Sequence, residues 1–219
     1  MSTHRYRLVI GSKMWSSWSL RPWLLMREFA IPFEEVPIRL RSPDTARDIA
    51  RYSSSGKIPV LIDNGLTVWD TLAIMEHLAD RHPELAIWPR DARARSIARA
   101  VSAEMHSGFQ ALRQNCPMDF EARGLEPADA GAIPSDVRRI LALWADCRTR
   151  FGQNGPFLFG DFSAADAMYA PVVSRFASYA IDLSAFGDSR TAQAYMAAVM
   201  ALPSWAEWGR GATREAAAD

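Results

Sequence analysis

Lys13-Met14-Trp15-Ser16-Ser17-Trp18-Ser19-Leu20-Arg21-Pro22-Trp23 is the stretch on which the fold turns. It follows a short β-like run, Arg7 to Ile10, and leads into a helical pattern that reaches about Ala30. Leu8-Val9-Ile10 reads as a buried strand, and Trp23, Leu24, Met26 and Phe29 supply the apolar spacing of the helix. Pro22 is placed in the first turn of that helix, where a missing N–H is tolerated. A helix start presents unbonded backbone N–H groups and the positive end of the dipole, so a serine-rich turn there is a place to hold an anion. Ser16, Ser17 and Ser19 offer three hydroxyls at that place. Serine is also simply a favoured N-cap, worth about 1 kcal/mol.

Outward from this stretch, Phe33 to Leu40 alternates well enough for a second strand, and Pro37 puts it at a sheet edge. Asp44 to Tyr52 is polar and weakly helical. Ile58-Pro59-Val60-Leu61-Ile62 is a third strand, Asp63-Asn64-Gly65 a hairpin turn, and Leu66-Thr67-Val68 its partner. A helix from about Asp70 to Arg81 completes the order β-α-β-α-β-β-α. A proline-bounded linker, His82 to Pro89, follows. Beyond it the periodicity is helical. Ile97, Val101, Met105, Phe109 and Leu112 share one face of a single long helix, and Val137, Ile140, Leu141, Trp144, Cys147 and Phe151 share a face of the next. Met118 to Pro134 reads as a loop. Ser163-Ala164-Ala165-Asp166 is a capping box that opens a helix to about Ala180, the serine accepting from a backbone N–H and the carboxylate reaching back. Two shorter helices are expected near Arg190 to Leu202 and Ser204 to Arg210, with Ala212 to Asp219 frayed.

Composition narrows the function classes. The chain has 219 residues, is 49% hydrophobic and carries no formal net charge, which is an ordinary globular balance with no basic field for nucleic acid. The N-terminus lacks a signal-peptide pattern, and no apolar run approaches the roughly 20 residues that span a bilayer. Cys116 and Cys147 are too few for a disulfide framework and form no Cys-x-x-Cys pair, which fits a cytoplasmic protein without an internal dithiol.

Two further pieces carry chemistry. The Ile58-Pro59 bond is a candidate cis linkage, and an extended Ile58 has backbone groups free to pair with a peptide as an added strand does. Lys57 beside it is suited to a carboxylate. Asp70 is a natural N-cap; the N–H groups it precedes and the Thr71 hydroxyl suit a carboxylate, while Asp70 itself suits an ammonium.

Four stretches together resemble the cytosolic glutathione transferases over nearly the whole chain: Ser16-Ser17-Trp18-Ser19-Leu20-Arg21, Gly56-Lys57-Ile58-Pro59-Val60-Leu61, Trp69-Asp70-Thr71-Leu72-Ala73-Ile74 and Gly160-Asp161-Phe162-Ser163-Ala164-Ala165-Asp166. The resemblance implies a thioredoxin-like α/β domain over residues 1–82, a linker over 83–89, an all-α helical domain over 90–219, and a homodimer. It implies glutathione as co-substrate and no metal. It makes Pro59 cis, gives the cysteinyl part of glutathione to Ile58's backbone, the γ-glutamyl end to Asp70 and Thr71, and the glycyl side to Lys57. The Ser-Ser-x-Ser-x-Arg pattern is similar to the zeta class and puts the activating hydroxyl at Ser16. The spacing of delta and theta enzymes chooses Ser17 instead, and both are carried forward. A free thiol titrates near 8.5, and lowering it by about two units corresponds to about 2.7 kcal/mol of preference for thiolate.

The activity implied is transfer of glutathione to a small hydrophobic electrophile, in a cleft facing Ser16. Met105, His106, Phe109 and Arg113 are candidates for that pocket, with Arg175, Phe176 and Tyr179 from a later helix. Maleylacetoacetate isomerisation, the zeta activity, stands second. Zeta enzymes carry cysteine where this chain has Trp18, and their arginine-rich electrophile site has no counterpart in register after Ser163. A protein that binds glutathione without turnover is the reading from a different class.

Overall fold

The structure, a computed structural model, describes residues 5–188 and 190–217. The first part is a four-stranded sheet in the order β2-β1-β3-β4. It comprises β1 (Tyr6–Gly11), α1 (Ser17–Glu28), β2 (Phe33–Ile38), α2 (Thr45–Ala50), β3 (Val60–Asp63), β4 (Leu66–Trp69) and α3 (Thr71–Arg81). β2 runs parallel to β1, with Tyr6 opposite Phe33, and β3 and β4 run antiparallel. The expected β-α-β-α-β-β-α order and the edge position of the Pro37 strand are both observed.

β1 is apolar on both faces because both are covered. Leu8 and Ile10 join Leu20, Leu24, Leu61 and Ile74 in the main core, under α1 and α3. Val9 faces the other way and packs with Ile38, Ile49 and Val60, under α2. The sheet therefore fixes the end of β1 firmly, and the turn that follows inherits that position.

The helical part comprises α4 (Ala92–Ser107), α5 (Gln110–Asn115), α6 (Pro134–Phe151), α7 (Ala164–Ser178), a 3₁₀ turn (Leu183–Phe186), α8 (Thr191–Met200) and α9 (Pro203–Ala217). α7 is buried along its whole run from Ala164 to Phe176 and packs against α1 and α4, joining the two parts. Among the described residues no helix is long and apolar enough to cross a membrane.

Three expectations are corrected. Pro22 lies inside α1, not in its first turn. The helix survives because the carbonyl that Pro22 leaves without a helical donor, that of Trp18, accepts from the Thr71 hydroxyl at 3.2 Å. The single helix expected through Leu112 is two. Gly108 ends α4 where a Cβ would meet the Glu104 carbonyl at 2.7 Å, and Phe109 takes a left-handed φ of 56°. Phe109 and Leu112 still bury against the same core, so the apolar spacing runs through the break unmarked. The tail expected to fray from Ala212 continues as helix α9 to Ala217, with Ala212 buried; residues 218 and 219 lie outside the described residues.

The expected capping box is present at the start of α7, and Asp166 does more than close it. Its carboxylate accepts from the Ser163 N–H at 2.9 Å, the Ser163 hydroxyl at 3.0 Å and the Leu158 N–H at 3.0 Å. The Ser163 side chain in turn accepts from the Asp166 backbone N–H, which also reaches the Ser163 carbonyl at 3.0 Å. Asp166→Ala leaves two buried N–H groups without an acceptor, and is expected to cost about 2–4 kcal/mol of stability. Urea unfolding measures it, and a loss below about 1 kcal/mol would show that water replaces the carboxylate there.

Candidate functional site

Ser16 is the N-cap residue of α1, held by its N–H to the Ser12 carbonyl at 2.9 Å. Its hydroxyl makes no cap bond. It donates to Ser19 Oγ at 2.7 Å, which also accepts the Gly11 N–H at 3.0 Å. Ser16 is buried; Ser17 is half-buried, and its hydroxyl has no partner among the described residues. Gly11 has no space for a side chain, since a Cβ would meet Leu40 Cδ1 at 2.8 Å and Ile58 Cδ1 at 2.9 Å. The Ile58 side chain, just before β3, is thereby packed close against the end of β1.

Beside this helix start lies a cleft of about 590 Å³. Trp18, Ser55, Lys57, Ile58, Pro59, Trp69, Asp70 and Thr71 line it from the α/β part; His106 and Ser107 line it from α4, and Gln110 and Arg113 from α5. Neither Ser16 nor Ser17 is in the lining. The Ile58–Pro59 bond is cis. Ile58's N–H and C=O take part in no hydrogen bond among the described residues. Lys57 is exposed, and its N–H reaches Ser53 Oγ at 3.3 Å.

Asp70 is the strained residue of the site, with φ 73° and ψ 135°. Such a backbone costs about 1–3 kcal/mol for a non-glycine residue and persists only where its surroundings hold it. Two bonds hold it here. Asp70 Oδ1 caps α3 by accepting the Leu72 N–H at 2.9 Å, and Oδ2 meets His106 Nε2 at 2.6 Å across the cleft. The Thr71 hydroxyl is committed to the Trp18 carbonyl. What Thr71 offers a ligand is therefore its backbone N–H at the start of α3.

The candidates for the second half of the cleft divide. His106 and Arg113 line it. Met105, Phe109 and Phe176 are buried in the main core, outside the lining. Tyr179 donates its hydroxyl to the Pro117 carbonyl, and Arg175 donates to the carbonyls of Cys116 and Pro171. Trp18, Ser55, Trp69, Ser107 and Gln110 line the cleft without having been placed there from the sequence, and Trp18 is the most consequential of them. Its ring lies 4.1 Å from the Arg21 guanidinium, 4.9 Å from that of Arg113 and 5.2 Å from the His106 ring. The Trp18–Arg21 spacing of three residues on one helix face was the available signal.

Behind Trp18 the electrostatics are one-sided. Arg21 is fully buried and donates to the carbonyls of Met168 and Ser17, both at 2.9 Å. Arg113 reaches only the carbonyls of His106 and Gly108, at 3.4 and 3.3 Å. No ion pair to Arg21, Arg113 or Arg175 occurs among the described residues. Burial, followed by the fields of Arg175 and Arg113, holds the Arg21 guanidinium well below its usual range. Burial and then Arg113 bring Arg175 to about 10, and burial lowers Arg113.

The comparisons with known proteins follow this division. The glutathione S-transferase N-terminal domain family matches residues 15–81, and the C-terminal domain family matches residues 96–208. The chain belongs to the glutathione S-transferase family. Within it, a maleylacetoacetate isomerase of Rattus norvegicus is 28% identical over 177 residues, covering 78% of this chain and 77% of that one. A probable maleylacetoacetate isomerase of Caenorhabditis elegans is 29% identical over 96 residues, 44% of each chain. The match thus spans under half the length of that relative. A glutathione transferase homologue from Burkholderia, solved with bound glutathione, has the same fold, with a TM-score of 0.71 at 21% identity over 95% of this chain and 98% of that one. The glutathione S-transferase fold accounts for the mixed sheet followed by helices. Among the described residues no group of three or more metal-ligating side chains comes together.

Proposed function

We propose that this chain is a glutathione transferase that ionises the bound thiol at the start of α1. The observation that carries the reading is the convergence of Lys57, Ile58, Pro59, Asp70 and Thr71 on one cleft closed from the helical side. Glutathione lies along it, its γ-glutamyl end at the α3 N-terminus and Asp70, its cysteinyl backbone on Ile58, and its glycyl carboxylate at Lys57. The sulfur then points to the α1 N-terminus, where the dipole and a serine hydroxyl favour the thiolate. Ser16 is the leading donor, and uses its hydroxyl by releasing Ser19; Ser17, whose hydroxyl is uncommitted, is the alternative. The thiol proton leaves to solvent, the sulfur lone pair forms the new C–S bond, and the displaced pair goes to the leaving group or is protonated. Homodimerisation belongs to this reading, with the exposed Leu66 and Trp69 of β4 as apolar surface for it. So do a cytoplasmic location and a role in detoxification.

A second reading is favoured by the arginines. Arg113 in the cleft, with Arg21 and Arg175 buried behind it and none of the three in an ion pair among the described residues, suits an anionic substrate better than a neutral one. A glutathione-dependent cis–trans isomerase of the maleylacetoacetate type fits that field: the thiolate adds to a double bond, the resulting single bond rotates, and the thiolate leaves unchanged.

Calorimetric titration with glutathione, followed by assays with a neutral electrophile and with a cis-configured unsaturated diacid, tests both. Conjugation of the neutral compound supports transfer, and trans product without loss of glutathione supports isomerisation. Binding without either makes the protein a glutathione binder. Failure to bind glutathione at millimolar concentration ends the proposal.

A further inference from the structure

Lys13 stands three residues before Ser16, outside the cleft, and is gripped by the last helix. Its N–H donates to Glu215 Oε2 at 2.7 Å, and its carbonyl accepts from Trp208 Nε1 at 2.9 Å. Its ammonium pairs with Glu35 and lies 3.5 Å from Glu215 Oε1. It also lies 5.4 Å from the Trp208 ring. Trp23 of α1 donates to the same Glu35 at 2.7 Å and meets Trp208 edge-on at 5.1 Å. α9 makes room for this arrangement. A Cβ on Gly211 would come within 2.5 Å of Lys13 Cδ, and glycine inside a helix is otherwise unfavourable. The next residue of the turn is held too, since the Met14 carbonyl accepts the Phe120 N–H at 3.1 Å.

We propose that α9 is a tether for the β1–α1 turn, and that Lys13 is a positioning residue through which it sets the hydroxyls of Ser16 and Ser17. The inference rests on the transferase reading for its catalytic consequence only. The turn's own backbone bonds run from Trp15 and Ser16 to Ser12 and from Ser17 to Trp15. Its outer side is fixed by α9 and the Phe120 segment. A donor that stabilises a thiolate must be held to a fraction of an ångström, so loosening the tether weakens ionisation before it weakens binding.

Glu215→Ala removes the acceptor and the charge while leaving a residue that favours helix. Trp208→Phe removes the indole donor and keeps an aromatic ring, with some loss of volume in the core. Amide hydrogen exchange without glutathione is expected to rise about tenfold or more at residues 13–17 in both variants and to stay unchanged in β3 and α6. The bound thiol's pKa, read from thiolate absorbance, is expected to rise by about one unit, with kcat about tenfold lower and the glutathione KM within about twofold. Unchanged exchange in the turn, or a rise spread evenly over the chain, overturns the tether. A wild type that binds glutathione but never ionises it ends the transferase reading instead, and the exchange measurement still decides the tether.

Discussion

Ser16→Ala is expected to lower kcat/KM for glutathione transfer roughly ten- to a hundredfold while leaving glutathione affinity within about threefold. The magnitude follows from what the hydroxyl does now and what it must do. A hydrogen bond to a charged acceptor is worth about 1.5–3 kcal/mol, and each 1.36 kcal/mol is about a factor of ten. Ser16 already donates to Ser19, so a thiolate gains only the difference between the two bonds, which sets the lower end. Ser19 keeps the Gly11 N–H in the variant, so the turn loses no essential bond. The pH dependence has a definite sign. A donor to the thiolate lowers the bound thiol's pKa, so losing it moves the rising limb of the pH–rate profile upward by about one to two units, with most of the lost activity recovered above that limb. Ser17→Ala is expected to leave the limb in place. Should Ser17→Ala move it and Ser16→Ala not, the half-buried, uncommitted hydroxyl is the donor. If neither moves it, the α1 N–H groups act without a serine.

The parts of this molecule that were readable in sequence are those whose signal is local. The strand Leu8-Val9-Ile10, the hairpin at Asp63-Asn64-Gly65 and the helix after Asp70 each announce themselves within a few residues, and all three are observed. Lys57 to Pro59 and Asp70-Thr71 sit on two consecutive stretches, so their half of the cleft was legible. The opposite half was blurred by one residue of helix phase. Met105, Phe109 and Leu112 form the buried stripe, while His106 and Arg113, seven apart, turn to the cleft from the neighbouring face. The kink at Gly108 was invisible because its apolar neighbours keep the same spacing on either side. Pro22 inside α1 was unreadable for a different reason: the donor that rescues Trp18's carbonyl comes from Thr71, far along the chain. The last turn of α9 likewise meets Lys13, from the other end of the sequence, through the Glu215 carboxylate. The three arginines carry no periodicity at all, since they are assembled from α1, α5 and α7 only on folding.

Arg113 is where that assembly should show in substrate choice. Of the three guanidinium groups it alone lines the cleft, and glutathione's own carboxylates are met at Lys57 and the α3 N-terminus in the proposed pose. Arg113 is left over, half-buried, with two long bonds to carbonyls and one face on Trp18. A charge-assisted bond to a substrate carboxylate in such a place is worth about 1.5–3 kcal/mol. Arg113→Met is therefore expected to lower kcat/KM for a carboxylate-bearing electrophile roughly ten- to a hundredfold, and that for its methyl ester by less than about threefold. A general structural role would depress both alike, so the ratio between acid and ester is the measurement. Stability supplies an independent check with an unusual sign. Arg113's field lowers the pKa of both Arg21 and Arg175, which means that its charge opposes theirs in the folded chain. Removing it relieves that repulsion, and methionine can cover the Trp18 ring in its place. The thermal midpoint of Arg113→Met is expected to stay level or rise, whereas a fall of several degrees with equal losses on acid and ester would make Arg113 a packing residue and leave the cation field without a substrate.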